Sequence, residues 1–191
     1  MVELVISTAI LMSIAGFGTA SYLGFNERQI VEQAGKNLKN DLRLAQQNAI
    51  NAIKNDEEGL CAANQSLQGW CVSPDNNNVN SSQKYFIYGV CGDGSGIPVS
   101  FPSDAIKRTI PRGAQLVVRA KEGGVWKMAN GIERARFNTF GQGVQLQNPS
   151  YSEIAYCVQG TLPTLQNVRY QVRVTQTGEL IDDGIVQNCF Q

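Results

Sequence analysis

Met1-Val2-Glu3-Leu4-Val5-Ile6-Ser7-Thr8-Ala9-Ile10-Leu11-Met12-Ser13-Ile14-Ala15-Gly16-Phe17-Gly18-Thr19-Ala20-Ser21-Tyr22-Leu23-Gly24-Phe25 is the stretch on which the reading of this chain turns. Glu3 is its one charge, and no other occurs between Leu4 and Asn26. At about 1.5 Å per residue a helix of this length matches the apolar thickness of a bilayer. Three readings compete. A cleaved secretory signal wants a basic start, and the early charge here is acidic, although Ala20-Ser21 resembles a cleavage site. A simple membrane anchor wants flanking Lys or Arg and gives Glu3 no role. The third reading pairs Glu3 with a positive group on another chain, a neighbour's terminal ammonium. A carboxylate beside an apolar helix costs a few kcal/mol in lipid, so a partner relieves it and sets the register of an assembly.

Beyond Asn26 the pattern becomes one-sided. Val31, Ala34, Leu38, Leu42, Ala45, Ala49 and Ile53 fall three or four apart, while Arg28, Lys36, Lys39, Asn40, Arg43 and Gln46 lie off that stripe. This predicts an amphipathic helix seated on a globular domain, ending in Asn55-Asp56-Glu57-Glu58-Gly59 with Gly59 as the stop. Small residues on the stripe and the glycines before it argue against a sustained coiled coil. Gly16, Gly18 and Gly24 each cost roughly 1 kcal/mol in a helix interior and predict a flexible stretch, the alternative being close packing of membrane helices. After Gly59 the spacing becomes that of short strands. They are predicted at Gly69–Val72, Lys84–Cys91, Ala114–Ala120, Gly124–Met128, Glu133–Phe140, Glu153–Val158, Val168–Thr175 and Gly184–Cys189, with a loop over Ser73–Asn78. The expected fold class is α+β: a long N-terminal helix, apolar then amphipathic, on an antiparallel β-sheet domain. The expected parts are 1–25, 26–58 and a β-rich head over 59–191.

Composition narrows the chemistry. Sixteen basic residues balance sixteen acidic ones, and there is no His. That removes the commonest general base and metal ligand, and with them a Ser-His-Asp triad, although Cys91-Gly92-Asp93-Gly94-Ser95-Gly96 is superficially similar to a protease nucleophile loop. No cofactor and no metal site is predicted. Asp75–Asn80 and Asp182-Asp183 are weak oxygen-ligand candidates for calcium without the spacing of a known loop. The five cysteines, Cys61, Cys71, Cys91, Cys157 and Cys189, form no C-x-x-C pair and read as disulfides in an oxidising compartment, with one left over. Five choices of the odd thiol and three pairings of the rest leave the connectivity open. Cys157 with Cys189, flanking the last strands, is the first choice. The alternative is buried, reduced Cys acting as small apolar residues. Lys107, Arg108, Arg112, Arg119, Lys121, Lys127, Arg134 and Arg136 face only Glu122 and Glu133 in the same stretch, a candidate phosphate-binding cluster set against the simpler reading of solvated strand faces.

Met1-Val2-Glu3-Leu4-Val5-Ile6, followed by the apolar run and the amphipathic helix, resembles the N-terminus of type IV pilins and type II secretion pseudopilins. Glu3 and Leu4 match the family's Glu-Leu. In the family that Glu is the fifth residue of a processed, N-methylated chain, and here it is the third, so the expectation is that two residues precede Met1 or that the register differs. Asp41 to Ile50 is similar to the helix of H-type pseudopilins and related minor pilins. Ala135–Gly143, with its Phe-x-x-x-Gly turn, and Val172–Leu180, ending in Thr-Gly, resemble parts of that domain. The resemblance implies a non-enzymatic fibre subunit whose partners are other pilin subunits and, before assembly, the inner membrane. The fibre would lie outside the cytoplasm. It also implies DNA binding by the basic cluster as a second function, since some minor pilins take up DNA. A membrane-anchored extracytoplasmic enzyme is the third reading.

Overall fold

A computed structural model describes residues 2–53, 61, 65–75, 82–92, 105–128, 134–161 and 167–190, with side chains described at all of these except 2–5, 9, 14–24, 27 and 128. Helix α1 (Val2–Ile50) comes first. Ten strands follow among the described residues: β1 (Ser66–Pro74), β2 (Lys84–Gly92), β3 (Ile106–Thr109), β4 (Ala114–Glu122), β5 (Val125–Met128), β6 (Ala135–Asn138), β7 (Val144–Leu146), β8 (Tyr151–Gly160), β9 (Arg169–Thr175) and β10 (Leu180–Val186), with a short 3-10 turn, η1 (Thr139–Gly141), between β6 and β7.

The α+β expectation, a long helix packed on an antiparallel β-sheet domain, is overturned. The chain is mostly antiparallel β, in two five-stranded sheets ordered β3-β2-β1-β6-β7 and β10-β9-β8-β4-β5. Among the described side chains, the helix residues in the core run from Val31 to Ala49. The two sheets meet at two seams. Ser82 and Leu116 exchange backbone hydrogen bonds of 3.0 and 2.8 Å, and the Val144 N–H donates to the Gln176 carbonyl at 2.9 Å. Their inner faces and the α1 stripe share a single core, in which the Tyr156 hydroxyl crosses from β8 to the Val72 carbonyl at 3.0 Å. Inward alternation on β2, β1 and β6 meets inward alternation on β4, β8 and β9 across that core.

The stripe lies where its spacing puts it. Val31, Leu38, Leu42, Ala45 and Ala49 are fully buried and Ala34 nearly so. The helix stops earlier than Gly59. Ala52 takes a left-handed φ of 49°, its N–H reaches back to Ala49, and the Ile53 N–H reaches Asn48 at 2.9 Å. That pair of bonds is a Schellman closure, here with Ala where Gly is usual. Ile53 therefore leaves the stripe for solvent, and its carbonyl accepts the Trp70 indole N–H at 3.0 Å. One helix glycine has a steric reason. At Gly35 a Cβ would run into the ring of Tyr170 on β9, so the close approach of helix to sheet requires the missing side chain.

Candidate functional site

The start of α1 shows large apolar side chains to solvent. Among the described residues before Val31, Ile6 and Ile10 are each 55% exposed, Leu11 66%, Met12 77% and Phe25 59%. Burying one such side chain is worth about 1.5–3 kcal/mol, so this surface has a strong preference for an apolar partner. The side chains of Glu3, Gly16, Gly18 and Gly24 lie outside the described residues; the backbone is helical through all four positions. Among the described residues no helix is long and apolar enough to cross a membrane, so the membrane-span expectation for 1–25 finds no support there.

Further along α1 a cleft of about 340 Å³ opens between the helix and edge strand β3, lined by Asn37, Asn40, Asp41, Tyr85, Arg108 and Thr109 among others. Asp41 is three residues after Leu38 and four before Ala45, so the helix turns it inward beside the stripe, and it is only 9% exposed. Two donors meet it: the Tyr85 hydroxyl at 2.6 Å and the Arg108 Nε at 3.2 Å. The β2–β3 register sets Tyr85 opposite Arg108, which puts both on the inner face. Burial first, then the Asp41 carboxylate, hold the Tyr85 hydroxyl well above its ordinary pKa, so it stays a hydrogen-bond donor across the physiological range. The arrangement fixes a carboxylate and supplies no nucleophile or proton shuttle. An inward-pointing arginine on an edge strand also opposes edge-to-edge pairing. The sequence reading missed Asp41 as a partner of Arg108; its signal was a carboxylate at a stripe-side position.

The structure disperses the basic residues. Lys107, Arg108 and Arg112 belong to β3 and the turn after it, Arg119 and Lys121 to β4, Lys127 to β5, and Arg134 and Arg136 to the start of β6. These strands lie in two different sheets. Arg134 and Arg136 are 2% and 5% exposed, on the side of the first sheet where Cys71 and Tyr88 also sit. Lys121 pairs with Glu153 at 3.1 Å and Lys127 with Glu122 at 2.5 Å. Arg119 stands over the Phe190 ring, 4.6 Å from its centre. Lys107 and Arg112 are the members that stay exposed without an ion pair among the described residues. A single phosphate-binding face is not assembled from this set.

Four cysteines form two disulfides, Cys61–Cys91 and Cys157–Cys189, and Cys71 is free and buried. Burial pushes the Cys71 thiol up to about 12, with Arg136 and Arg134 offsetting only part of that, so it is an inert thiol at neutral pH. Cys157 points away from the shared core, and its bond draws the C-terminal residues across the outer face of the second sheet. There the Phe190 N–H donates to the Gln171 side chain at 2.7 Å, and the Phe190 ring lies 6.0 Å from that of Trp126. The calcium candidates Asp182 and Asp183 are already matched to cations. Lys39 meets Asp182 at 2.7 Å, and Arg173 grips Asp183 at 2.7 and 2.8 Å. Asn76–Asn80 and Asp93–Gly96 lie outside the described residues, as does Glu133. No cluster of metal-ligating side chains occurs among the described residues.

Comparison with protein-family models, with curated proteins and with solved structures finds no match to this chain.

Proposed function

We propose that this chain is a structural subunit of a type IV pilus or of a pilus-like secretion fibre, and that it assembles through the start of α1. The observation that supports this most is the exposure of Ile6, Ile10, Leu11 and Met12, spread around a helix whose other end is locked into the β core. Apolar surface of that kind, presented on a helix, is suited to packing against the same element of other subunits. Two disulfides suit a life outside the cytoplasm, with the helix start lodged in the inner membrane until assembly. In this reading Glu3 neutralises the terminal ammonium of a neighbour.

The test is expression of the chain with and without the substitution Glu3→Ala, followed by isolation and imaging of fibres. Loss of fibres, or loss of this subunit from them, with the head domain still folded is the expected result. Fibres that incorporate the Glu3→Ala chain as well as the unaltered one would sink the proposal.

A further inference from the structure

The cleft between α1 and edge strand β3 holds more hydrogen-bonding capacity than the fold uses. Both donors that reach Asp41, the Tyr85 hydroxyl and the Arg108 Nε, end on the same oxygen, Oδ2. Oδ1 accepts no hydrogen bond among the described residues, and it is not sealed from solvent. A carboxylate on a residue only 9% exposed therefore keeps one oxygen for whatever enters the cleft it lines. Arg108 is in the complementary position. It uses Nε on Asp41 and no other N–H within the described residues, so both Nη groups stay available. On the helix, Asn37 precedes Asn40 by three residues and Asp41 by four, which sets all three on one face. The two asparagines are exposed, and their amides make no hydrogen bond among the described residues.

We infer that this cleft binds one ring of a neutral, hydroxyl-rich ligand, a sugar. Charge decides the class. Among the described residues of the lining, the charged ones are Asp41 and Arg108, one of each sign. An anion drawn to the Arg108 Nη groups meets the Asp41 carboxylate, and a cation drawn to Oδ1 meets the guanidinium, so either is repelled by the group beside its partner. A hydroxyl escapes that conflict because it donates and accepts at once. In a vicinal pair one hydroxyl donates to Asp41 Oδ1 while its neighbour accepts from an Arg108 Nη. The Asn37 and Asn40 amides, each carrying a donor and an acceptor, serve the hydroxyls beyond. Size agrees with this. A volume of about 340 Å³ lies at the lower end of small-molecule sites, about 300–1,000 Å³, and suits a single ring. Pro111 is the exposed apolar side chain of the lining, a surface for the C–H face of that ring. The base of the cleft is already ordered. Pairing of β2 with β3 sets Tyr85 opposite Arg108, and both hold Oδ2 in place, so Asp41 receives a hydroxyl without rearranging. The inference does not depend on the fibre reading.

The experiment uses the full chain, isotopically labelled and held in a zwitterionic detergent that carries no sugar headgroup. Glucose, galactose, mannose and N-acetylglucosamine are titrated in turn, with acetate and phosphate as the anion arms. The side-chain amide resonances of Asn37 and Asn40 report binding. At least one sugar should shift both and saturate, and neither anion should do so. With Asn40→Ala, read at Asn37, saturation should need roughly three- to ten-fold more of that sugar, the loss expected for one hydrogen bond. The same variant should melt no lower than the parent, since Ala is the better residue at an exposed helix position. No shift with any of the sugars overturns the inference. So does a response to acetate or phosphate as large as that to every sugar, or a sugar titration that Asn40→Ala leaves unchanged. Each of these results leaves the fibre reading standing.

Discussion

Replacing Gly35 by Ala sets two known effects against each other, and the structure decides which wins. In a helix interior the exchange is worth about 1 kcal/mol in favour of Ala. Here the new Cβ falls among the ring atoms of Tyr170 and only 2.6 Å from its Cβ. Tyr170 has little freedom to yield. It is 4% exposed, and β9 is paired on both sides at that position, with Val158 and with Ile185. Either the ring leaves its rotamer or α1 lifts from the sheet. Overpacking of this kind costs about 1–3 kcal/mol. A lift of ~0.5–1 Å also forfeits a quarter to a half of the dispersion attraction of the atoms it separates, and Ala34 and Leu38 are in the same turns of the stripe. The upper part of that range applies, giving a net loss of about 2 kcal/mol. For a chain of this size that is a fall in Tm of roughly 4–8 °C. Thermal and urea unfolding of the oxidised chain, followed by circular dichroism and by tryptophan fluorescence, would measure it. A Gly35→Ala chain as stable as the parent, or more so, refutes the reasoning. The cause is checked in a Tyr170→Ala background, where Gly35→Ala should become neutral or mildly stabilising; an unchanged penalty there would show that the ring is not what Gly35 avoids.

Other consequences follow at separate sites. Ala52→Gly keeps the Schellman closure and removes the cost of a left-handed Ala, so unfolding should require about 1 kcal/mol more; a loss of stability would contradict the assigned helix end. Removing one bridge with Cys157→Ser and Cys189→Ser together frees a loop with a sequence separation of 32 and should cost about 3–4 kcal/mol by chain entropy, read as a lower urea midpoint, with an unchanged midpoint as the contrary result. The hydrogen bonds from Arg173 hold the Asp183 carboxyl below its ordinary pKa. A depressed folded pKa gives stability that is full above the unfolded value, about 3.9, and is lost as pH falls through the lower folded value. Tm should thus hold level down to about pH 5 and drop below about pH 4. Arg173→Met should show a lower plateau and a shallower acid drop; an acid limb as steep as the parent's would remove Asp183 from the explanation.

How much of this was legible in the sequence depended on whether the signal was local. The α1 stripe was, because spacing of three and four leaves one face for the core, and Val31 through Ala49 are all buried. So was the strand over Val168–Thr175, in which Tyr170, Val172 and Val174 are buried in the core. The cover on its other face was not, since Gln171 is only 4% exposed beneath the C-terminal residues that the Cys157–Cys189 bond draws over it. The helix end was misplaced because Ala52 takes the role that Gly usually signals, and Gly59 was the nearest glycine in view. Edge strand β3 was missed because Ile106-Lys107-Arg108-Thr109 reads as a charged turn; its strand character comes from pairing with β2, and its Arg108 is neutralised by Asp41, far away in sequence. The same distance explains the basic cluster. Counted along the chain it faces few acids, but Glu153 and Asp41 reach it only through the fold. The division of the strands into two sheets, and with it the correction from α+β to mostly β, rests on pairings such as Ser82 with Leu116 that no short window contains.

The seating of α1 also determines how the molecule responds to tension. A pull applied at the start of the helix runs parallel to the stripe, so it loads Val31, Leu38, Leu42, Ala45 and Ala49 in shear, all at once. Peeling them away one after another would require a sideways force. The Gly35–Tyr170 contact acts as a catch on that track, because sliding the helix along its axis carries the glycine gap away from the ring, which then meets backbone and side chain where it had room. A helix seated in this way transmits axial force to the β domain with little give.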